Sequence, residues 1–152
     1  VGRSDVLASL KYGEASDTWS ANPIGCAAVI ATLDAFENSD VLENTRRLEP
    51  LFFKELGRLK DTGVVSKVRG EGMVYGIECA DVGTTPAGDV ANAIVEACYL
   101  AADGGDGIHL LGPLANTVLR ISPPMTITDE QARESLQLLH HFVASVGQSL
   151  AN

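Results

Sequence analysis

Apolar positions recur at helical spacing in three stretches of the chain and alternate with polar ones in others. Val41, Leu42, Thr45, Leu48, Phe52, Leu56 and Leu59 repeat as one helix face. Asp40 precedes them as an N-cap, with Glu43 three residues on as its capping-box partner. Pro50 falls inside that pattern and predicts a kink or break, and Gly63 ends the helical region. Val64 to Cys79 reads as β, with Gly70, Gly72 and Gly76 marking a bulge or a close backbone contact. Asp81 to Gly88 is a loop. Asp89 caps a helix carrying Ile94, Val95 and Cys98, and Asp103 to Gly107 is a tight turn. Ile108–Leu111 and Val118–Ser122 are two further strands, the second stopped by Pro123-Pro124. Thr128 and Gln131 form a capping box for a last helix with Ala132, Leu136, Leu139 and Val143 on one face. At the start of the chain, Ser4 is positioned to cap a short turn over Asp5–Ala8.

One stretch breaks the amphipathic rule. From Pro23 to about Glu37, Ile24, Ala27, Ala28, Val29, Ile30, Ala31, Leu33, Ala35 and Phe36 leave almost no polar face. A helix apolar all round has to be covered all round. The chain has limited material for that, so a partner outside it is expected. Asn22 is a good N-cap for this helix and Pro23 suits its first position, where a missing N–H costs nothing. Thr18 lies in the loop just upstream, its hydroxyl beside a helix N-terminus where an anion is favoured. Taken alone, that threonine equally fits a loop residue bonding its own backbone.

These elements describe an α/β (α+β) two-layer domain, a small, mostly antiparallel sheet packed with helices. With 152 residues, 45% apolar and 20% charged, the chain is long enough for one core. The net charge of −9, with 11 Lys and Arg, argues against a nucleic-acid or anionic-membrane partner. Cys26, Cys79 and Cys98 lie in apolar runs without a C-x-x-C pair, so buried free thiols in a reducing compartment are expected. With no signal-peptide pattern, the expected location is cytoplasmic. No Ser/His/Asp or Cys/His arrangement stands out. His140 and His141 point to different helix faces, and Asp103 and Asp106 lack the ligand spacing of a calcium loop, so no metal site is expected.

The segment Thr18-Trp19-Ser20-Ala21-Asn22-Pro23-Ile24-Gly25-Cys26-Ala27-Ala28 resembles the Thr-x-x-x-Asn-Pro-x-x-Cys/Ala-Ala-Ala segment of class III pyridoxal-phosphate aminotransferases, the ornithine and 4-aminobutyrate type. Val68-Arg69-Gly70-Glu71-Gly72-Met73-Val74-Tyr75-Gly76-Ile77-Glu78 resembles that family's V-R-G-x-G-L-x-x-G-I-E hairpin. Val118-Leu119-Arg120-Ile121-Ser122-Pro123-Pro124-Met125-Thr126-Ile127-Thr128 resembles its V-L-R-x-x-P-P-L-x-I-T segment. The resemblance implies the C-terminal small domain of a fold-type-I enzyme. Residues 1–22 would be a remnant of the large cofactor domain with its phosphate loop, and 23–152 the small domain, the helix 23–37 bridging the two.

It further implies that Thr18 binds the cofactor phosphate of a neighbouring subunit. Arg120 would clamp a substrate carboxylate or pair with a glutamate of the large domain. From the residues alone, Arg120 equally fits a strand arginine paired with a local acid such as Glu78, and Arg69 fits a solvated hairpin arginine. The family's cofactor lysine lies on a loop upstream of the matching region. None of Lys11, Lys54, Lys60 and Lys67 sits in such a glycine-rich loop. The expectation is therefore a chain with no catalytic residue of its own. Pyridoxal phosphate, a small amine and a 2-oxo acid would be handled only in a complete enzyme, assembled with the large domain or as a homo-oligomer. Two other readings stay open: a stand-alone non-catalytic α/β binding or assembly module, and one half of a split aminotransferase.

Overall fold

The structure is a computed structural model describing residues 2–14, 18–101, 105–113 and 115–151. It divides into two compact units, Val1–Ser39 and Asp40–Asn152. The Asp103-Gly104 part of the expected glycine turn lies outside the described residues.

The first unit contains α1 (Ser4–Leu7) and α2 (Pro23–Asn38). Ser4 is the first helical residue and not a cap; Arg3 takes that position, its guanidinium paired to Asp5 at 2.6 Å. Asn22 does cap α2, its side-chain oxygen accepting the N–H groups of Ile24 at 2.9 Å and Gly25 at 3.4 Å. No residue of α2 is buried: Ile24 is 82% exposed and Ile30 60%. Cys26 is exposed with them, contrary to the buried thiol expected from its apolar run. An apolar run places a residue inside only when something lies over it, and within this chain α2 is uncovered.

The second unit holds α3 (Val41–Gly57), which passes into a 3-10 turn (Arg58–Thr62), then β1 (Val65–Glu71) and β2 (Val74–Cys79). α4 (Ala87–Leu100), β3 (Val118–Ile121) and α5 (Asp129–Leu150) follow. The strands form one antiparallel sheet in the order β1-β2-β3. One hydrophobic cluster lies on one side of it: Tyr75, Ile77 and Cys79 from β2 and Leu119 and Ile121 from β3. These meet Leu48, Phe52 and Leu56 of α3, Val90, Ala91, Ile94 and Cys98 of α4, and Ala132, Leu136, Leu139 and Val143 of α5. Each helical set recurs at three- or four-residue spacing, so each helix turns one stripe to the core.

Asp40 is the N-cap residue of α3 but makes no side-chain cap bond. α4 begins at Ala87 after Pro86, which places Asp89 in the first turn; the carboxylate that meets the helix start is Asp81, accepting the Ala87 N–H at 2.7 Å. α3 runs unbroken through Pro50 because buried Leu48 and Phe52 hold it on either side, and Pro50 itself faces solvent. Ile108–Leu111 joins no strand ladder, although Leu110 is buried and Ile108 donates its N–H to Cys98 O at 2.8 Å. Thr128 and Gln131 do form the capping box of α5.

The hairpin tip is tied to α3. Glu49 accepts the Gly72 N–H at 2.9 Å, and the Tyr75 hydroxyl donates to Gly72 O at 2.5 Å. Gly72 turns with φ +59°. Gly70 marks a close backbone approach: a Cβ there would lie 2.4 Å from Val74 O. The ladder irregularity lies elsewhere, between Val65 and Lys67. Burial pushes the Tyr75 hydroxyl up to about 12, reinforced by the nearby Glu49 charge. Among the described residues, no helix is long and apolar enough to cross a membrane.

Gly147 on α5 packs on the 3-10 turn so closely that a Cβ would lie 2.8 Å from Thr62 O, whereas nothing stands within 4 Å of a Cβ at Gly57. Alanine in a helix gains about 1 kcal/mol over glycine. The clash at Gly147 costs roughly 1–3 kcal/mol, as for other overpacked sites. Gly147→Ala is therefore expected to lower the thermal midpoint by a few degrees, while Gly57→Ala raises it. Calorimetry on both variants checks the sign, and a rise for Gly147→Ala would contradict this packing.

Burial also lifts the Cys79 and Cys98 thiols from 9.0 to about 11. A raised folded-state pKa means the fold binds these protons more tightly than the unfolded chain. That stability is fully present below pH 9.0 and is lost as the pH climbs toward about 11. Denaturant midpoints measured from pH 8 upward should fall across that window, and the fall should be shallower in Cys98→Ala. At neutral pH a thiol reagent should label exposed Cys26 quickly and the other two only on unfolding.

Candidate functional site

In the first unit, Thr18 lies in an exposed bend ahead of α2. The backbone reverses over Trp19–Asn22, closed by the Asn22 N–H on Trp19 O at 3.4 Å. Ala21 sits at φ +58°, a left-handed conformation that costs a non-glycine residue roughly 1–2 kcal/mol. Strain of this kind collects at ligand-holding turns. Asn22 occupies the Ile24 and Gly25 N–H groups. The helix dipole remains as a field at this end. Trp19, Asn22, Cys26 and Ile30 border a shallow cavity of about 430 Å³; Thr18 does not line it.

In the second unit, β3 alternates as its sequence requires. Leu119 and Ile121 are buried and Arg120 is exposed on the opposite face. That face carries the outward side chains of all three strands. Gly76 of β2 lies between Arg69 of β1 and Arg120 of β3 in one cross-strand row. Arg69 Nη1 donates to Glu78 Oε2 at 2.9 Å. The local acid that the sequence offered to Arg120 is thus held by Arg69, and Arg120 has no ion pair among the described residues.

β3 is an edge strand, and beside it a cavity of about 370 Å³ opens between the 108–111 segment and α5. Arg120, Ile108, Leu111, Pro123 and Leu139 line it, with Ser135 as a polar wall residue. An apolar hollow with one guanidinium at its margin suits a carboxylate carried on a short apolar body. The cavity and the Arg69–Glu78 pair were absent from the sequence reading. Alternation along β2 does place Gly76 and Glu78 on one face, but only the pairing register sets Arg69 and Arg120 beside them. No group of three or more His, Cys, Asp or Glu among the described residues is placed to hold a metal ion.

Comparison with known proteins agrees with this architecture. Residues 1–143 match the family Aminotransferase class-III. The chain is 29% identical over 141 residues to mitochondrial ornithine aminotransferase of Rattus norvegicus, covering 93% of this chain and 30% of that protein. It is 29% identical over 143 residues to 4-aminobutyrate aminotransferase of Mycobacterium leprae, covering 93% and 31%. It is 30% identical over 149 residues to a leucine/methionine racemase of Thermococcus litoralis, covering 96% and 32%. Among solved structures, ornithine δ-aminotransferase of Plasmodium falciparum superposes with a TM-score of 0.68 at 27% identity, over 98% of this chain and 36% of that one. The chain belongs to the class III aminotransferase family. It spans about 30% of the length of the curated relatives it matches.

Proposed function

We propose that this chain is the C-terminal small-domain portion of a pyridoxal-phosphate-dependent aminotransferase, transferring an amino group from an amine or amino acid to a 2-oxo acid within a complete or complemented enzyme. The observation that carries the reading is Arg120: an exposed, unpaired guanidinium at the margin of an apolar cavity, inside a family-matched segment. Its planar fork suits a carboxylate, which amino-acid and 2-oxo-acid substrates share. Residues 1–22 then belong with the large domain and 23–152 with the small one, and the enzyme acts in the cytoplasm.

The cofactor fits this chain at one end. Thr18 offers its phosphate a hydroxyl beside the N-terminus of α2, as a ligand reaching the cofactor of a neighbouring subunit. At the aldehyde end the chain offers only exposed lysines: Lys11, Lys54, Lys60 and Lys67. Lys54 lies 4.0 Å from the Glu55 carboxylate. When bound in the whole enzyme, the cofactor supplies an electron sink for carbanion chemistry at the substrate. Thr18 would hold one end of that group, and Arg120 would orient the substrate by its carboxylate.

Adding pyridoxal phosphate to the isolated chain should give no stoichiometric visible absorbance band and no amine turnover. A band removed by substituting one of the four lysines would refute the reading. In a complemented enzyme, Thr18→Ala should lower cofactor affinity by roughly tenfold or more, the worth of a hydrogen bond to a charged phosphate. Cofactor retention unchanged after dialysis would leave Thr18 a loop residue. Turnover that needs no 2-oxo acid acceptor would instead move the whole protein to racemisation, the activity named for the Thermococcus relative.

The uncovered α2 supports assembly, with the large domain or a second copy over Ile24, Ile30 and Leu33. The isolated chain is accordingly expected to self-associate. Sedimentation showing a clean monomer at high concentration, with these side chains protected inside it, would sink that expectation.

A further inference from the structure

Glu78 stands within reach of two arginines and binds one. Arg69 and Arg120 are both cross-strand partners of Gly76, and Glu78 lies two residues further along β2, making it a diagonal neighbour of each. Such diagonals span roughly 7–8 Å between backbones, a distance that long side chains bridge. Gly76 raises no side chain between the arginines. The Arg69 stem runs over it, its Cγ and Nε each 3.8 Å from where a Cβ would be. On the other side Val118 leans over the same glycine, 3.3 Å from that point. The bond goes to β1: Arg69 Nη1 donates to Glu78 Oε2 at 2.9 Å, and Lys67 lies directly opposite Glu78 on the same strand.

We propose that Arg69 is a positioning residue that holds the Glu78 carboxylate on the β1 side and so keeps Arg120 free for a carboxylate from outside the chain. The proposal rests on reading Arg120 as a carboxylate ligand. Without Arg69, the nearest acid on the open face swings to Arg120 and competes with the incoming ligand. Lys67 is the other cation able to detain it, so the informative variant removes both.

Nuclear magnetic resonance on the full 152-residue chain tests this. All the substituted side chains are surface groups, so the core is untouched. In Lys67→Gln/Arg69→Gln, the Arg120 Nε–H and Glu78 carboxylate resonances should both move, and the Arg120 shift should revert when Glu78→Gln is added. Arg69→Lys should keep the original spectrum at Arg120. With butanoate as probe, followed at Arg120, the double variant should bind about two- to fivefold more weakly, the scale of an exposed ion pair. Glu78→Gln should restore the affinity. Unmoved Arg120 and Glu78 resonances in the double variant would overturn the proposal, as would movement without loss of probe affinity. Butanoate that shifts the backbone amides of β3 equally in the original chain and in Arg120→Gln would overturn instead the carboxylate reading on which the proposal rests.

Discussion

Within the second unit, the described helices pack on one face of the three-stranded sheet, and the placement of its charged residues follows from that. β2 is the central strand, and its alternation sends Tyr75, Ile77 and Cys79 into the core and Gly76 and Glu78 to the open side. Once that strand is seated, its neighbours have no freedom of face. A one-residue slip would bury charge and expose the apolar row. Glu49 guards against such a slip, accepting the Gly72 N–H through its carboxylate and the Tyr75 hydroxyl through its backbone carbonyl, which ties the hairpin to α3. The charged residues of the strands therefore gather outward. Arg120 is presented on an edge strand, not a loop.

The open face is also selective about its own charges. Lys67, Arg69 and Arg120 all neighbour Glu78 on that surface, three cations around one carboxylate, with Glu71 further along β1. Exposed ion pairs of this sort contribute little to stability. Their weight here lies in which cation is left over. The register answers with Arg120, the cation that borders the apolar cavity beside α5.

The first unit obeys a different constraint. None of the residues of α1 or α2 is buried, so nothing inside this stretch offsets the entropy of ordering it. Such a short segment can build local structure from caps and turns but not a core. Asn22 sets where α2 begins, and the left-handed Ala21 sets how the chain enters it. The apolar sides of α2 are exposed, Ile24, Val29, Ile30 and Leu33 among them.

Several features decided within three or four residues were legible in the sequence alone. The Asn22 cap, the Thr128–Gln131 capping box, the stripes of α3, α4 and α5, and the outward side of Arg120 all depend on dihedral geometry and side-chain period. The motifs around Thr18 and Arg120 were legible by their resemblance to the family. Features needing a distant partner were not. Asp40 and Asp89 have the right chemistry for caps, yet the acid that meets the start of α4 is Asp81, six residues before the N–H it accepts. Pro50 ordinarily disrupts a helix, but buried neighbours on both sides outweigh the lost hydrogen bond. Ile108–Leu111 has strand composition and no ladder to join, and Cys26 has apolar neighbours in sequence with nothing above it in space. The choice of Arg69 over Arg120 for Glu78 belongs to the same class. Side-chain period fixes a residue's face, while strand register and packing between elements far apart in sequence fix what stands beside it there.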